Sequence, residues 1–199
     1  MMDSDAFLTI AAPSEGYLRE KMSRFLAFAV PVTTAAEAKE VVAAYQKQYH
    51  DARHVCWAYM VGADRKTFLS SDNGEPSGTA GKPILGQINS FGLTDIVIAV
   101  VRYFGGIKLG TSGLIAAYRE AARLAIEDAE IIQKYVMTDV AFTFPYVAMN
   151  SVMKLVKGGE VAISSQEFDN TCRMTLSVRQ SLEAQIRSQL ADIDGVCMS

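Results

Sequence analysis

The alternation of apolar and polar positions predicts a chain that changes between strands and helices up to about residue 130. The first predicted elements are two strands, Glu15 to Met22 and Arg24 to Val32, a helix that begins at Thr34, and a hairpin of His54 to Val61 and Lys66 to Ser71. A helix that includes Ile84 and ends at Gly92 follows, and then a strand from Asp95 to Val101. The last element is a helix that is capped by Thr111 or Ser112 and runs to Asp128. The order β-β-α-β-β-α-β-α indicates an α+β layer architecture.

A second pattern begins after Ile131 to Asp139, so we predict two domains, residues 1–135 and 136–199. Thr138 to Phe144 alternates as a strand does, and Val147 to Val156 fits a helix. Two strands joined by Asp169-Asn170 and a helix to Leu190 complete the unit. This β-α-β-β-α order resembles a ferredoxin-like half-sandwich that stops before its last strand.

Composition and charge narrow the functional classes. Half of the 199 residues are apolar, 21% are charged, and the net charge of −3 creates no overall attraction to nucleic acid or acidic membranes. The net charge does not exclude a local basic patch. No apolar run approaches the roughly 18 residues that span a bilayer, and Met1 to Asp5 lacks the basic start of a signal peptide. With three widely spaced cysteines, these features predict a cytoplasmic protein with no membrane partner.

The segment from Asp72 to Leu85 concentrates turn formers, acids, hydroxyls and a lysine between a predicted strand and a predicted helix. Loops of this kind carry function because a scaffold holds their polar groups out toward a ligand. Its second half nearly matches a phosphate-binding P-loop. Pro76 replaces the first glycine, however, and Pro83 replaces the magnesium-binding hydroxyl, which excludes a nucleoside triphosphatase of that type.

The same loop still offers an anion-binding site. Ser77, Thr79 and Lys82 supply donors near a helix start, where free backbone N–H groups and the helix dipole favour negative charge. Asp72 and Glu75 oppose this with their own charge. The alternative interpretation is that the two acids cap turns and Lys82 is solvated.

A second glycine-rich loop, Arg102 to Gly113, has the same character. Lys108, Thr111 and Ser112 lead into a helix N-terminus, another anion site, and Arg102 ends a buried strand from which it could reach the same place. The structural alternative is a strand-to-helix turn with a capping hydroxyl and an arginine that pairs with a neighbouring acid.

Catalytic and metal chemistry has weaker signals. Asp72, Glu75 and His54 are the candidates for acid–base work, although a partly buried structural histidine is the commoner case. No Ser-His-Asp or Cys-His arrangement is identifiable. His50, Asp51 and His54 are a weak metal pattern, so we expect neither a metal nor a cofactor.

These two loops carry a resemblance to a known family. Asp72-Asn-Gly-Glu-Pro-Ser-Gly-Thr-Ala-Gly-Lys-Pro-Ile-Leu and Val101-Arg-Tyr-Phe-Gly-Gly-Ile-Lys-Leu-Gly are similar to the signature of the IMPACT/YigZ family, as are Lys21-Met-Ser-Arg-Phe and Ala52-Arg-His-Val-Cys-Trp-Ala-Tyr. The resemblance covers roughly residues 15 to 130. The C-terminal unit is similar in element order to the second domain of bacterial members.

The resemblance implies a first domain with the fold of the second domain of small-subunit ribosomal protein five, and a C-terminal domain like one of elongation factor G. Eukaryotic members act in translational control, but through an additional N-terminal domain that this sequence does not include. The family's polar residues fall on His54, Asp72, Glu75, Ser77, Thr79, Lys82, Arg102 and Lys108. The chain departs from the family at Asn73, Thr111, Ser112 and Ala116, where an aspartate, a more glycine-rich pair and an arginine are common.

Three functions remain open from the sequence. The leading hypothesis is a cytoplasmic binding or regulatory protein of translation or RNA metabolism, which holds RNA backbone or a small phosphorylated ligand with Lys82, Arg102 and Lys108. Its partners would then be RNA or the ribosome. The alternatives are a hydrolase- or transferase-like enzyme on a small phosphorylated or carboxylated substrate, and a protein-interaction module in which both loops are structural.

Overall fold

The computed structural model describes residues 5–169 and 171–199, so Asn170 of the predicted turn lies outside the described residues. The chain divides into two compact units: Phe7–Lys134, and Tyr135–Ser199 together with Asp5 and Ala6. Compactness does not test independent folding, and the assignment of two domains at 135/136 therefore stays a prediction.

The larger unit is built around a five-stranded antiparallel sheet in the order β2-β3-β6-β4-β5. Its elements are β1 (Ala6–Ile10), β2 (Ser14–Glu20), β3 (Ser23–Pro31), α1 (Ala35–Gln48), β4 (His54–Val61), β5 (Thr67–Ser71), α2 (Gly81–Ser90), β6 (Ile96–Tyr103), α3 (Gly110–Asp128) and β7 (Ile131–Tyr135). β1 and β7 form a separate two-stranded sheet.

The central strand β6 is covered on both faces, as its apolar run predicts. Ile98 packs in the cluster that contains buried side chains of α2 and α3, whereas Val97 packs with Val42 of α1. Because side chains alternate along a strand, Arg102 at the end of β6 lies on the same face as Ile98. That face therefore changes from an apolar core to a charged group at one end of the sheet.

The smaller unit is a four-stranded antiparallel sheet with two helices. Its elements are β8 (Met137–Phe144), α4 (Met149–Gly158), β9 (Val161–Glu167), β10 (Cys172–Arg179), α5 (Glu183–Ala191) and β11 (Cys197–Met198). The strand order β11-β8-β10-β9 is the ferredoxin-like order. The prediction that this unit stops before its last strand is wrong, since β11 pairs with β8 and supplies it.

The N-termini of α1 and α3 differ in how they are capped. Thr34 caps α1 by accepting the backbone N–H of Glu37 at 3.2 Å, while the Glu37 carboxylate accepts from the N–H of Thr33 at 2.7 Å. The predicted hydroxyl cap of α3 is wrong: its N-cap is Leu109, and neither Thr111 nor Ser112 makes a capping bond. The predicted order of elements does not include β1 and β7, and β7 occupies part of the predicted boundary Ile131 to Asp139.

Candidate functional site

A cavity of about 380 Å³ opens where β4, β6 and the N-terminus of α3 meet the loop before α2. Strand register explains its position, because His54 is the direct partner of Arg102 across β4 and β6, and Phe25 is the partner of Arg102 across β3. The lining residues are Arg53, His54, Glu75, Pro76, Arg102, Phe104, Lys108, Leu109, Gly110, Thr111 and Leu114. The cavity thus has apolar walls, a buried acid and several basic groups.

Glu75 is the buried acid of the cavity, with a side chain that is 4% exposed. Its Oε1 accepts hydrogen bonds from Arg102 Nη1 at 2.6 Å and from the Tyr118 hydroxyl at 2.8 Å. A buried carboxylate needs such partners, because desolvation of an unpaired charge costs far more than one hydrogen bond returns. Both donors converge on one oxygen, which leaves Oε2 without a hydrogen bond from any described residue.

His54 stands beside that second oxygen. Its Nε2 lies 4.0 Å from Glu75 Oε2, which is too far for a direct hydrogen bond. Its Nδ1 lies 2.9 Å from the carbonyl oxygen of Asn73. Because a carbonyl only accepts, Nδ1 carries a proton, and the Nε2 of the neutral ring is an acceptor.

A buried network behind Glu75 holds the acid in place. Cys56 Sγ lies 3.3 Å from the Tyr118 hydroxyl and 2.9 Å from the carbonyl of Asp72. Burial raises the pKa of Cys56 to about 12, so the thiol stays protonated at neutral pH and is no nucleophile. Burial and the neighbouring Cys56 and Glu75 raise the pKa of Tyr118 far above its ordinary value, so its hydroxyl remains a donor.

Asp72 builds the loop rather than the cavity. Its Oδ1 accepts the backbone N–H groups of Ala80 and Gly81 at 3.0 and 2.8 Å, and its Oδ2 accepts that of Gly78 at 2.8 Å. Burial raises the pKa of this carboxyl, but the three N–H groups and nearby Lys82 outweigh it and lower the pKa below 3.8. A carboxylate so occupied is a poor general base.

The mouth of the cavity is basic. Arg53 and Lys108 line it, both are exposed, and neither forms an ion pair with any residue the structure describes. Gly110 and Thr111 of α3 line the same side, and no side chain caps this 19-residue helix. Its first N–H groups therefore lack intrahelical partners and carry the positive end of the helix dipole.

The structure brings half of the predicted site residues to this cavity. The residues that line it are His54, Glu75, Arg102, Lys108 and Thr111, and those that do not are Asp72, Ser77, Thr79, Lys82 and Ser112. Thr79 is buried and its hydroxyl donates to the carbonyl of Pro76 at 2.6 Å, whereas Lys82 is exposed on α2. The departures from the family pattern at Asn73 and Ala116 also lie outside the lining.

Arg53 and Tyr118 are functional candidates that the sequence pattern did not indicate. Tyr118 lies on the buried face of α3, where its sequence position resembles that of any core residue, and its hydroxyl bond to Glu75 makes it a functional candidate. Arg53 could have been found from its position next to His54, once His54 was placed opposite Arg102.

Within residues 5–169 and 171–199, no group of three His, Cys, Asp or Glu side chains lies close enough to hold a metal ion. In the same part of the chain, no helix combines the length and the apolar character needed to cross a bilayer.

Comparison with known proteins identifies the family. Residues 21–126, which contain every residue that lines the cavity, match the model of the Impact N-terminal domain. The chain belongs to the IMPACT family. The predicted resemblance is thereby confirmed.

IMPACT relatives extend over most of the chain. The IMPACT family member YigZ of Escherichia coli (strain K12) is 31% identical over 190 residues, which are 94% of this chain and 93% of the relative. The IMPACT family member YvyE of Bacillus subtilis (strain 168) is 36% identical over 132 residues, 66% of this chain and 61% of the relative. Membership links the protein, in general terms, to regulation and translation.

One solved structure has the same architecture. The crystal structure of a hypothetical protein superposes with a TM-score of 0.75 at 30% identity, over 98% of this chain and 97% of that one. The predicted α+β fold of an IMPACT protein is confirmed, and the strand order of the C-terminal unit is ferredoxin-like, as predicted.

Proposed function

We propose that this IMPACT protein is a cytoplasmic binding or regulatory protein of translation or RNA metabolism, and that its cavity holds a phosphate group of RNA or of a nucleotide. The supporting observation is the uncapped N-terminus of α3, which faces a cavity whose two exposed cations, Arg53 and Lys108, have no acid partner among the described residues. Free N–H groups at a helix start together with unpaired cations form an anion site.

The buried arginine has a different part in this proposal. Glu75 neutralises Arg102 through a 2.6 Å ion pair, so Arg102 adds little net charge for a phosphate. Its Nε is buried and has no hydrogen-bond partner among the described residues, so it is closed to a ligand in the cavity as well. We therefore assign the attraction of the phosphate to Arg53 and Lys108, and we assign to Arg102 the role of holding Glu75 in place.

Two exposed cations predict modest, salt-sensitive binding. Neutralising about two phosphates of single-stranded RNA gives a slope of roughly −1.4 in log affinity against log salt. Walls of Pro76, Leu109 and Leu114 limit the space beside the phosphate, and the volume of about 380 Å³ suits one nucleotide rather than a duplex.

Fluorescence anisotropy with labelled single-stranded RNA, from about 50 to about 200 mM salt, tests this function. Lys108→Ala is expected to weaken RNA binding several-fold. It is also expected to reduce the slope of log affinity against log salt by the contribution of roughly one phosphate contact. Lys39→Ala is the matched control, because Lys39 is an exposed lysine on α1 that does not line the cavity. Absence of RNA binding at low salt, or equal affinities for wild type and Lys108→Ala, contradicts the proposal.

A second candidate is an enzyme on a small phosphorylated or carboxylated substrate. The observation that favours it is the free Oε2 of Glu75, 4.0 Å from an oriented His54, where a substrate proton could be taken up. A screen of phosphorylated metabolites would have to find turnover that Glu75→Gln abolishes. Turnover that is unchanged in Glu75→Gln would remove this candidate.

A further inference from the structure

The floor of the cavity contains two hydrogen-bond acceptors that the protein leaves unfilled. Glu75 Oε2 receives no hydrogen bond from a described residue, although its side chain is only 4% exposed. His54 Nε2 lies 4.0 Å away, with its side chain 12% exposed. A single atom placed between the two would lie within hydrogen-bond distance of both.

The protein fixes the acceptor character of both atoms. Tyr118 and Arg102 donate to Oε1, which turns Oε2 toward the cavity as a carboxylate oxygen, and a carboxylate only accepts. The Asn73 carbonyl fixes the proton of His54 on Nδ1, so the Nε2 of the neutral ring also accepts. A ligand atom that serves both acceptors must therefore bring two hydrogens, as an amino nitrogen does and a hydroxyl or carbonyl oxygen does not.

The surroundings limit what can carry such a group. Phe104 lines the cavity with about half of its surface exposed, and Leu109 and Leu114 provide apolar walls, as a flat aromatic ligand requires. Lys108 and the start of α3 lie at the mouth, where the proposed phosphate binds. A nucleotide whose base carries an exocyclic amino group combines all three features.

We infer that the cavity binds a nucleotide whose base carries an exocyclic amino group, as adenine, cytosine and guanine do, and that Glu75 Oε2 and His54 Nε2 together accept the two amino hydrogens. The inference rests on the proposed function, since the phosphate of the same ligand occupies the basic mouth. A base without an exocyclic amino group, such as hypoxanthine or uracil, puts an oxo group in this place, where it is a third acceptor against two others, and buried acceptors without donors are costly.

Two matched ligand pairs test the inference by calorimetry or competition at about pH 8, where imidazole is in general neutral. Adenosine and inosine monophosphates differ at the amino position, as do cytidine and uridine monophosphates. The amino-bearing member of each pair is expected to bind about tenfold or more tightly. Equal affinities, or tighter binding of the oxo members, overturn the inference and leave the proposed function standing. Absence of binding by any nucleotide and by RNA overturns both.

Glu75→Gln provides a second readout, the loss of the preference. Arg102 and Tyr118 still require an acceptor, so the amide oxygen is expected to stay with them and the amide NH₂ to face the cavity. The floor then presents one donor from the amide and one acceptor from His54 Nε2, so the preference for the amino-bearing pair members should fall toward equal affinities. A folded Glu75→Gln variant, verified by its near-UV circular dichroism, that retains the preference for the amino-bearing pair members contradicts the assignment of Glu75. The wild-type comparison remains decisive if that variant does not fold.

Discussion

At the scale of single residues, Asp72 shows how one carboxylate organises a loop. Its two oxygens accept three backbone N–H groups from Gly78, Ala80 and Gly81, where the chain enters α2. Those N–H groups have no intrahelical partner at a helix start, and the carboxylate replaces water as their acceptor. The loop that carries Glu75 to the cavity depends on these bonds.

Asp72→Asn tests this role through stability. The amide retains one acceptor but presents an NH₂ to at least one backbone N–H, so we expect a loss of about 1–3 kcal/mol in the free energy of unfolding at pH 7. Because the folded pKa of Asp72 lies below 3.8, its stabilisation is complete above that value and is lost as the pH falls toward the folded pKa. The difference between variant and wild type should therefore shrink in acid.

Urea unfolding of both proteins between about pH 7 and pH 2.5 measures the effect. Glu40→Gln is the control, because Glu40 is exposed on α1 and forms no ion pair with the described residues. A difference between Asp72→Asn and wild type that persists undiminished in acid would refute the role of the charged carboxylate.

For single residues, the sequence predicts where the two loops lie but not which way each polar side chain faces. Glycines, prolines and polar residues identify the two loops, because turns require them. Whether a polar side chain then faces the ligand or the loop depends on hydrogen bonds that no local pattern records, as the contrast between Glu75 and Asp72 shows. Tyr118 illustrates the same limit, since a tyrosine on the apolar face of a helix resembles any core residue until its hydroxyl has a partner.

At the scale of elements, Gly105 holds the loop between β6 and α3 against the turn between β2 and β3. A Cβ at this position would lie 2.0 Å from the backbone carbon of Met22 and 2.4 Å from the nitrogen of Ser23. The N–H of Gly105 also donates to the Ser23 hydroxyl at 3.2 Å. The close approach places Phe104 and Lys108 at the cavity.

Gly105→Ala is expected to destabilise the protein by at least about 1–3 kcal/mol, because the added methyl meets backbone atoms that have no rotamer to change. Gly86→Ala is the matched control: it lies in α2, has no atom within 4 Å of the new Cβ, and should gain up to about 1 kcal/mol from helix propensity. Thermal unfolding compares the two. A Gly105→Ala variant as stable as Gly86→Ala would contradict the packing described for this loop.

Elements with strong local signals were predictable and short paired strands were not. β4 was predicted with its observed bounds, and Gly92, which has a φ of +65°, follows α2 as expected. β1, β7 and β11 have two to five residues each. Their partners lie far away along the chain, so no periodicity in a short window indicates them.

At the scale of the whole molecule, overall charge and local charge have opposite signs. The net charge is −3, yet Arg53, Lys108 and the N-terminus of α3 make one cavity basic. In such a protein the net charge does not attract phosphates, and only the basic cavity does. Phosphate binding should therefore be confined to the cavity and should saturate. The cavity lies within the unit Phe7–Lys134, so ligand binding should change the signals of residues in this unit.

The most direct measurement is a two-dimensional NMR titration of the labelled full chain with adenosine monophosphate. We expect the largest amide shifts at Thr111 to Gly113 and at Arg53, saturation of these shifts with ligand, and little change in Tyr135–Ser199. Free N–H groups at the start of α3 should respond most strongly, because a phosphate would accept hydrogen bonds from them. Shifts that are absent, or that concentrate away from the start of α3 and the end of β6, would contradict the claim that this cavity binds the phosphate.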